Sequence, residues 1–260
     1  MIWEVVVKKR KSMRRVDEQA FLASYDASQF PHPSLSVDVA LVTVDEQGLR
    51  AVLIERPEHP DLGKWSLPGG FVGMQESLVD AAVRVLSTKV GIDGIFLEQL
   101  YTFGRPDRDP RTRVITVAYY ALVDSETLSK VQQNPGVALA VLEVPWKGEE
   151  GGAVKAKSES GKKLPFAFDH AEILGLVVQR LRGKLNYAPI GFELLPRKFT
   201  LRRLQSIHET ILGHTLNKDS FRRRLLATGL LVATGELEKD VGHRPAELYR
   251  FKRTGKKKTH

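Results

Sequence analysis

The chain contains no cysteine. That excludes disulfide bridges and thiolate metal centres, and it fits the reducing cytosol. No apolar run approaches the roughly 20 residues that a membrane-spanning helix needs. The opening Met1-Ile2-Trp3-Glu4-Val5-Val6-Val7-Lys8-Lys9-Arg10 has its charges after a short apolar patch, the reverse of a secretory leader. The expectation is a cytoplasmic protein that does not enter the membrane. An acidic surplus is also missing: 40 Lys and Arg stand against 31 Asp and Glu, a formal net charge of +9.

That basic surplus is confined to one end. Residues 186–260 hold 16 Lys and Arg against 7 Asp and Glu, whereas residues 1–185 hold 24 of each. The last quarter is therefore expected to meet an acidic partner. A length of 260 residues suits two domains. Residues 1–16 read as a basic N-terminal extension, within which Met13 is an alternative start. Residues 17–188 read as a ligand-binding domain, and residues 189–260 as a smaller second domain with a basic tail.

Periodicity fills in the elements. Residues 17–25 pattern as a short helix. Residues 36–44 alternate and are rich in valine, and residues 49–55 return after the turn Asp45-Glu46-Gln47-Gly48, so both read as strands. A helix capped by Glu76 or Ser77 runs to about Val90 and stops at Gly91. Residues 95–103, 114–122 and 137–144 read as further strands, and 149–163 as a surface loop. Asp169 is expected to cap a helix from His170 to about Gly183, with the apolar stripe Ile173, Leu174, Val177, Val178 and Leu181. Residues 186–195 read as a linker.

Beyond it, Thr200 suits the N-cap of a helix carrying Leu201, Leu204, Ile207, Ile211 and Leu212 up to Gly213. Leu216-Asn217 opens a second helix, from Lys218 to about Thr228. Residues 230–234 and 246–251 alternate like a hairpin. Helix, turn, helix, hairpin is the order of a winged helix-turn-helix, which lays its second helix in the DNA major groove. Lys218 and Arg223, flanked by Ser220 and Arg222, are the expected readers of base edges. Arg202 and Arg203, with Thr200 ahead of them, and His243 and Arg244 in the wing suit DNA phosphates.

A second constellation lies between two strands. Gly104-Arg105-Pro106-Asp107-Arg108-Asp109-Pro110-Arg111-Thr112-Arg113 is dense in turn formers and carries four arginines, although residues 16–185 have only 18 Lys and Arg against 23 Asp and Glu. Guanidinium forks match phosphate oxygens bidentately.

The stretch from Pro68 to Ile92 resembles the signature of the Nudix hydrolases, G-x5-E-x7-R-E-U-x-E-E-x-G-U with U a bulky aliphatic residue. Gly70, Glu76, Arg84, Leu86, Gly91 and Ile92 fall on its frame. Three glutamates of that signature, which hold the family's divalent metals, are here Val85, Thr88 and Lys89. Residues three and four apart share one helix face, and magnesium needs carboxylate oxygens. The resemblance thus implies an α/β fold, the α/β/α Nudix sandwich, with no catalytic residue and no metal site. In place of metals, Lys89 and the arginine loop are expected to neutralise a diphosphate. The expected ligand set is Arg56, Lys64, Gly69, Gly70, Phe71, Glu76, Arg84, Lys89, Arg105, Arg108 and Arg113. Trp65 is expected to pack, and His170 to make local hydrogen bonds.

A degenerate Nudix domain followed by a winged helix is similar to one family, the Nudix-related transcriptional regulators of NAD metabolism. The similarity rests on Ser24-Tyr25-Asp26, the degenerate box, Phe103-Gly104-Arg105-Pro106-Asp107-Arg108-Asp109-Pro110-Arg111, Phe168-Asp169-His170-Ala171-Glu172-Ile173 and His243-Arg244-Pro245-Ala246-Glu247-Leu248-Tyr249. It implies a homodimeric repressor of NAD synthesis or salvage genes. Such a repressor binds a palindromic double-stranded DNA operator, takes ADP-ribose or a related nucleotide as effector, and uses no cofactor. A sister group answers to a pentose. A divergent, active ADP-ribose hydrolase is the reading from another class, and positions 85, 88 and 89 speak against it.

Overall fold

The computed structural model describes residues 18–129, 131, 134–185, 194–239, 242 and 244–252. Both expected domain boundaries, at 16/17 and 188/189, lie outside these residues. Residues 1–33 and 34–260 form two compact units. In the first, helix α1 (Glu18–Ser24) buries no residue and is followed by a single 3-10 turn, Ala27–Gln29, whose first amides the Asp26 carboxylate caps at Ser28 N. Phe21, Tyr25 and Phe30 form a row of rings 5.7 and 6.2 Å apart.

The second unit is built on β1 (Ser34–Asp45). Nine consecutive residues, 36–44, are buried, because both faces of this strand are covered. It pairs antiparallel with β2 (Gly48–Glu55) and parallel with β6 (Val114–Leu122), in a register running from Ser34↔Val114 to Val42↔Leu122. With β5 (Glu98–Phe103), β7 (Val137–Glu143) and β8 (Lys155–Lys157), the main order is β5-β6-β1-β2-β7-β8. The short β3 (Trp65–Ser66) joins β2, and β4 (Gly69–Phe71) joins β1.

Alternation along β1 assigns the two faces. Val37, Val39 and Leu41 pack with Ala81, Ala82, Val85 and Leu86 of α2 (Leu78–Val90). Ala40, Val42 and Val44 pack with Ile173, Leu174, Val177 and Leu181 of α4 (His170–Lys184). Sheet between helices is the expected α/β/α sandwich. Ser77, not Glu76, caps α2 in a reciprocal capping box with Asp80, and Gly91 closes the helix at φ 73°.

Several elements differ from expectation for reasons of length. The loop expected at 149–163 contains β8, which buries Ala156 against β7. A helix α3 (Ser125–Ser129), β3 and β4 are too short to show a period. The fifth strand starts at Glu98 rather than residue 95. Of the expected linker, residues 186–193 lie outside the described residues, and Leu194 and Leu195 are buried.

The C-terminal elements are α5 (Leu201–Leu212), α6 (Lys218–Ala227), β9 (Leu231–Leu237) and β10 (Glu247–Phe251), a winged helix. Its core is not separate. Leu194, Phe199, Leu204, Ile207, Ile211, Phe221 and Tyr249 belong to the same buried cluster as the α4 face of the sheet. One buried side chain pins that junction: Arg182 of α4 donates from Nε to Ile211 O (2.7 Å) and from Nη1 to Gly148 O (2.8 Å) and Trp146 O (3.3 Å).

His208 of α5 packs edge-on against Phe221, with ring centroids 5.1 Å apart. Burial, assisted by Arg224, pushes its pKa down to about 4, against about 6.5 in an unfolded chain. Between those values the unfolded state binds a proton that the folded state refuses. Stability is therefore complete above about pH 6.5 and falls as the pH drops towards about 4. The unfolding midpoint is expected to be lower at pH 5 than at pH 7, and His208→Leu should shrink that difference. An unchanged pH dependence in the variant would clear His208 of the effect.

Candidate functional site

The pocket forms where β4 pairs antiparallel with the first half of β1. Gly69 pairs with Asp38 and Gly70 with Val37. A Cβ at Gly69 would lie 2.1 Å from Asp38 Oδ1 and would force that carboxylate to move, and one at Gly70 would meet Val85 Cγ2 at a tight 3.1 Å. Beside them opens a cavity of about 210 Å³, lined by Arg56, Lys89, Arg108, Arg111, Asp38, Asp109, His170, Phe71 and Phe168 among others.

Four cations meet there. Arg56 donates from Nε to Pro60 O (2.7 Å), and its guanidinium carbon lies 4.7 Å from the Phe168 ring centroid. Lys89 Nζ donates to Gly69 O at 2.5 Å. Burial pushes the Lys89 pKa down, while Asp38 opposes the shift. Arg111 holds Asp109 with two side-chain bonds of 3.0 and 2.7 Å. Arg108 is buried and grips Asp169 through bonds of 2.9 and 2.7 Å. Burial works against the Arg108 charge, but Asp169 and Asp38 outweigh it and raise its pKa.

That grip corrects one expectation. Asp169 stands at the N-cap of α4 but makes no side-chain cap bond, because its carboxylate is committed to Arg108. His170 does make the expected local bond: Nδ1 accepts from Leu67 N at 2.8 Å. It also lines the pocket, and burial pushes its pKa down. Trp65 is half-buried against the α4-side core.

The other expected ligand residues lie outside the lining. Lys64 pairs with Asp61 at 2.6 Å. Glu76 accepts from Arg84 (2.5 and 2.9 Å) and from Gly73 N (2.6 Å), and Arg84 also donates to Phe71 O (3.0 Å). These surviving signature residues tie down the loop ahead of α2. Arg84 holds the Glu76 carboxyl down at about 2, so the tie is complete above the usual carboxylate range and is lost as the pH falls towards that value. Arg105 faces Glu172 at 3.4 Å and Asp107 at 3.7 Å, and Arg113 donates to Arg105 O at 2.9 Å. Sequence reasoning left Arg111, Asp38, Asp109 and Phe168 out of the set. Asp38 carried a signal, a lone carboxylate inside the strand Ser36-Val37-Asp38-Val39-Ala40.

At the three signature glutamate positions, Val85 is 1% exposed in the core, Thr88 donates to Arg84 O (2.7 Å), and Lys89 faces the pocket. None is a carboxylate. Among the described residues no three His, Asp or Glu side chains gather as a metal site.

The second candidate face is the winged helix. Asn217 caps α6 by accepting from Ser220 N, and Phe221 anchors the helix inward. Lys218, Ser220, Arg222 and Arg223 are exposed on it, as are Arg202 and Arg203 at the start of α5 and Arg244 in the wing. Thr200 is buried and its hydroxyl caps α5 at Arg203 N (3.2 Å). An open cleft of about 540 Å³ runs between these parts, lined by Thr200, Arg202, Lys218, Arg222 and Arg244 together with Glu238 and Glu247. His243 lies outside the described residues.

Comparison with known proteins matches both domains. Residues 33–146 match a NUDIX domain, and residues 191–251 match an NrtR DNA-binding winged helix domain. The chain is 39% identical over 237 residues to the "ADPR responsive transcriptional repressor NtrR" of Acinetobacter baylyi, covering 90% of this chain and 88% of that protein. Among solved structures, Shewanella oneidensis NrtR complexed with a 27mer DNA is 33% identical with a TM-score of 0.69, covering 84% of this chain and 93% of that one. A MutT/nudix family protein from Enterococcus faecalis is 27% identical with a TM-score of 0.72, covering 95% and 98%.

Proposed function

The chain belongs to the NrtR family of Nudix-related regulators, and on that premise we propose that it is a transcriptional repressor whose Nudix pocket senses ADP-ribose. The observation that carries this reading is the exchange of charge around the pocket: Val85, Thr88 and Lys89 replace three carboxylates, and Lys89 joins Arg56 and Arg111 at the cavity. Such a site suits the oxygens of a diphosphate. It supplies no metal-activated water and so no hydrolysis. The exposed cations of α6, α5 and the wing are the proposed DNA face, with Lys218 and Arg223 of the second helix as its proposed base readers. A two-fold dimer matches a palindromic operator, since each winged helix reads one half-site. Genes of NAD synthesis or salvage are the expected targets. The repressor acts in the cytoplasm, where the DNA is.

Operator fragments titrated with the full chain test the reading. Binding is expected to weaken steeply with salt and to be released by ADP-ribose. Arg223→Ala should cost about 1–3 kcal/mol if that side chain pairs with a base. Incubation with ADP-ribose and magnesium should yield no AMP. Turnover at an ordinary enzyme rate of about one per second or faster would sink the sensor reading, and release by a pentose alone would reassign the effector.

A further inference from the structure

One carboxylate in the pocket is poorly answered. Asp109 is held by Arg111, and Asp169 by Arg108, each through two short bonds. Asp38 also lines the cavity, and its side chain is only 8% exposed. Its nearest partners are Arg108 Nη2 at 3.5 Å and His170 Nε2 at 3.7 Å. Both exceed the roughly 2.7–2.9 Å of a good charge-assisted hydrogen bond. The state of His170 follows from its other nitrogen. Nδ1 accepts the Leu67 amide proton, so a neutral ring carries its own proton on Nε2. A buried acceptor and a buried donor therefore face one gap that is too wide for them to satisfy each other.

We propose that Asp38 and His170 together read one hydroxyl group of the effector's terminal sugar, which donates to Asp38 Oδ1 and accepts from His170 Nε2. This rests on the effector pocket assigned above. An oxygen about 2.8 Å from each atom fits between two groups 3.7 Å apart. The chemistry is selective. A phosphate oxygen cannot donate to Asp38, an ammonium cannot accept from His170, and a hydroxyl does both. The space agrees: a cavity of about 210 Å³, below the roughly 300 Å³ at which pockets for whole drug-sized ligands begin, suits one sugar and its phosphate, with Lys89, Arg56 and Arg111 on the same lining to meet the charge.

Calorimetry on the full-length protein separates the possibilities, with ADP-ribose and ADP as paired probes. ADP keeps the adenosine and the diphosphate but lacks the second sugar. Wild type is expected to prefer ADP-ribose by about tenfold to a hundredfold, the weight of a hydrogen bond to a charged group. In Asp38→Ala, which removes the acceptor, that ratio should fall towards one, with folding checked by thermal unfolding. Equal affinity of wild type for both probes overturns the hydroxyl reading alone, as does a ratio that survives in Asp38→Ala. Binding of neither probe overturns the effector pocket itself. Should Asp38→Ala fail to fold, ribose 5-phosphate decides on wild type: it must compete with ADP-ribose, whereas AMP at the same concentration must compete less well.

Discussion

Replacement of Arg182 by alanine is expected to cost about 1–3 kcal/mol of stability, since a buried carbonyl left without its donor costs about that much. The guanidinium serves one such carbonyl, Ile211 O at the end of α5, and two part-buried contacts, to Trp146 O and Gly148 O after β7, which water can replace more readily. It also lies 4.6 Å from the Trp146 ring centroid, so the variant loses packing as well as hydrogen bonds. Burial pushes the Arg182 pKa down, in keeping with a cation whose described hydrogen bonds go to carbonyls rather than carboxylates. Chemical denaturation measures the loss, and hydrogen exchange locates it. Amides of α5 should exchange faster, because Arg182 joins the last turn of that helix to α4. A loss under 1 kcal/mol would mean that the shared core, not this side chain, holds the winged helix to the sheet.

Arg108→Ala is expected to be more severe, for an electrostatic reason. Asp169 and Asp38 have side chains 3% and 8% exposed, and removing the cation leaves both carboxylates buried without their counter-charge. Breaking a buried pair in this way costs about 3–5 kcal/mol. Chemical denaturation measures the loss, and Arg108→Ala combined with Asp169→Asn should lose less stability than Arg108→Ala alone, because one uncompensated charge is gone. An equal loss in both would assign the effect to packing. ADP-ribose binding should weaken too, since Asp38 and Asp169 flank the pocket that Arg108 braces.

The arginine loop shows how far sequence reasoning reaches. Four guanidiniums within nine residues raised the expectation of a polyanion site, and two of them, Arg108 and Arg111, line the cavity. Their individual tasks were not legible. Arg108 turns inward to Asp169, 61 positions away along the chain, Arg111 stays beside Asp109 at the cavity, and Arg105 and Arg113 remain outside it. No local pattern separates these fates, because each depends on which segment β6 brings alongside. The expected cap at Asp169 went astray for the same reason. Aspartate at an N-cap is a sound local preference, but a distant arginine outcompeted the helix amides.

What the sequence determined by itself is whatever interactions within a few residues decide. Helices α2, α5 and α6 begin at Ser77, Thr200 and Asn217, because those side chains reach amides three residues on. Glycines that accept φ near 75° close α2 and α5 at Gly91 and Gly213. The loss of carboxylates at 85, 88 and 89 was equally legible, since a helix puts those positions on one face wherever it packs. Only the tertiary structure decided that the winged helix shares its core with the sheet, that Arg182 pins the two together, and that Asp38 and His170 face one another across a gap. Those facts depend on β1 pairing parallel with β6 and antiparallel with β4, pairings between remote segments whose outcome is set by burying the whole chain's apolar surface at once.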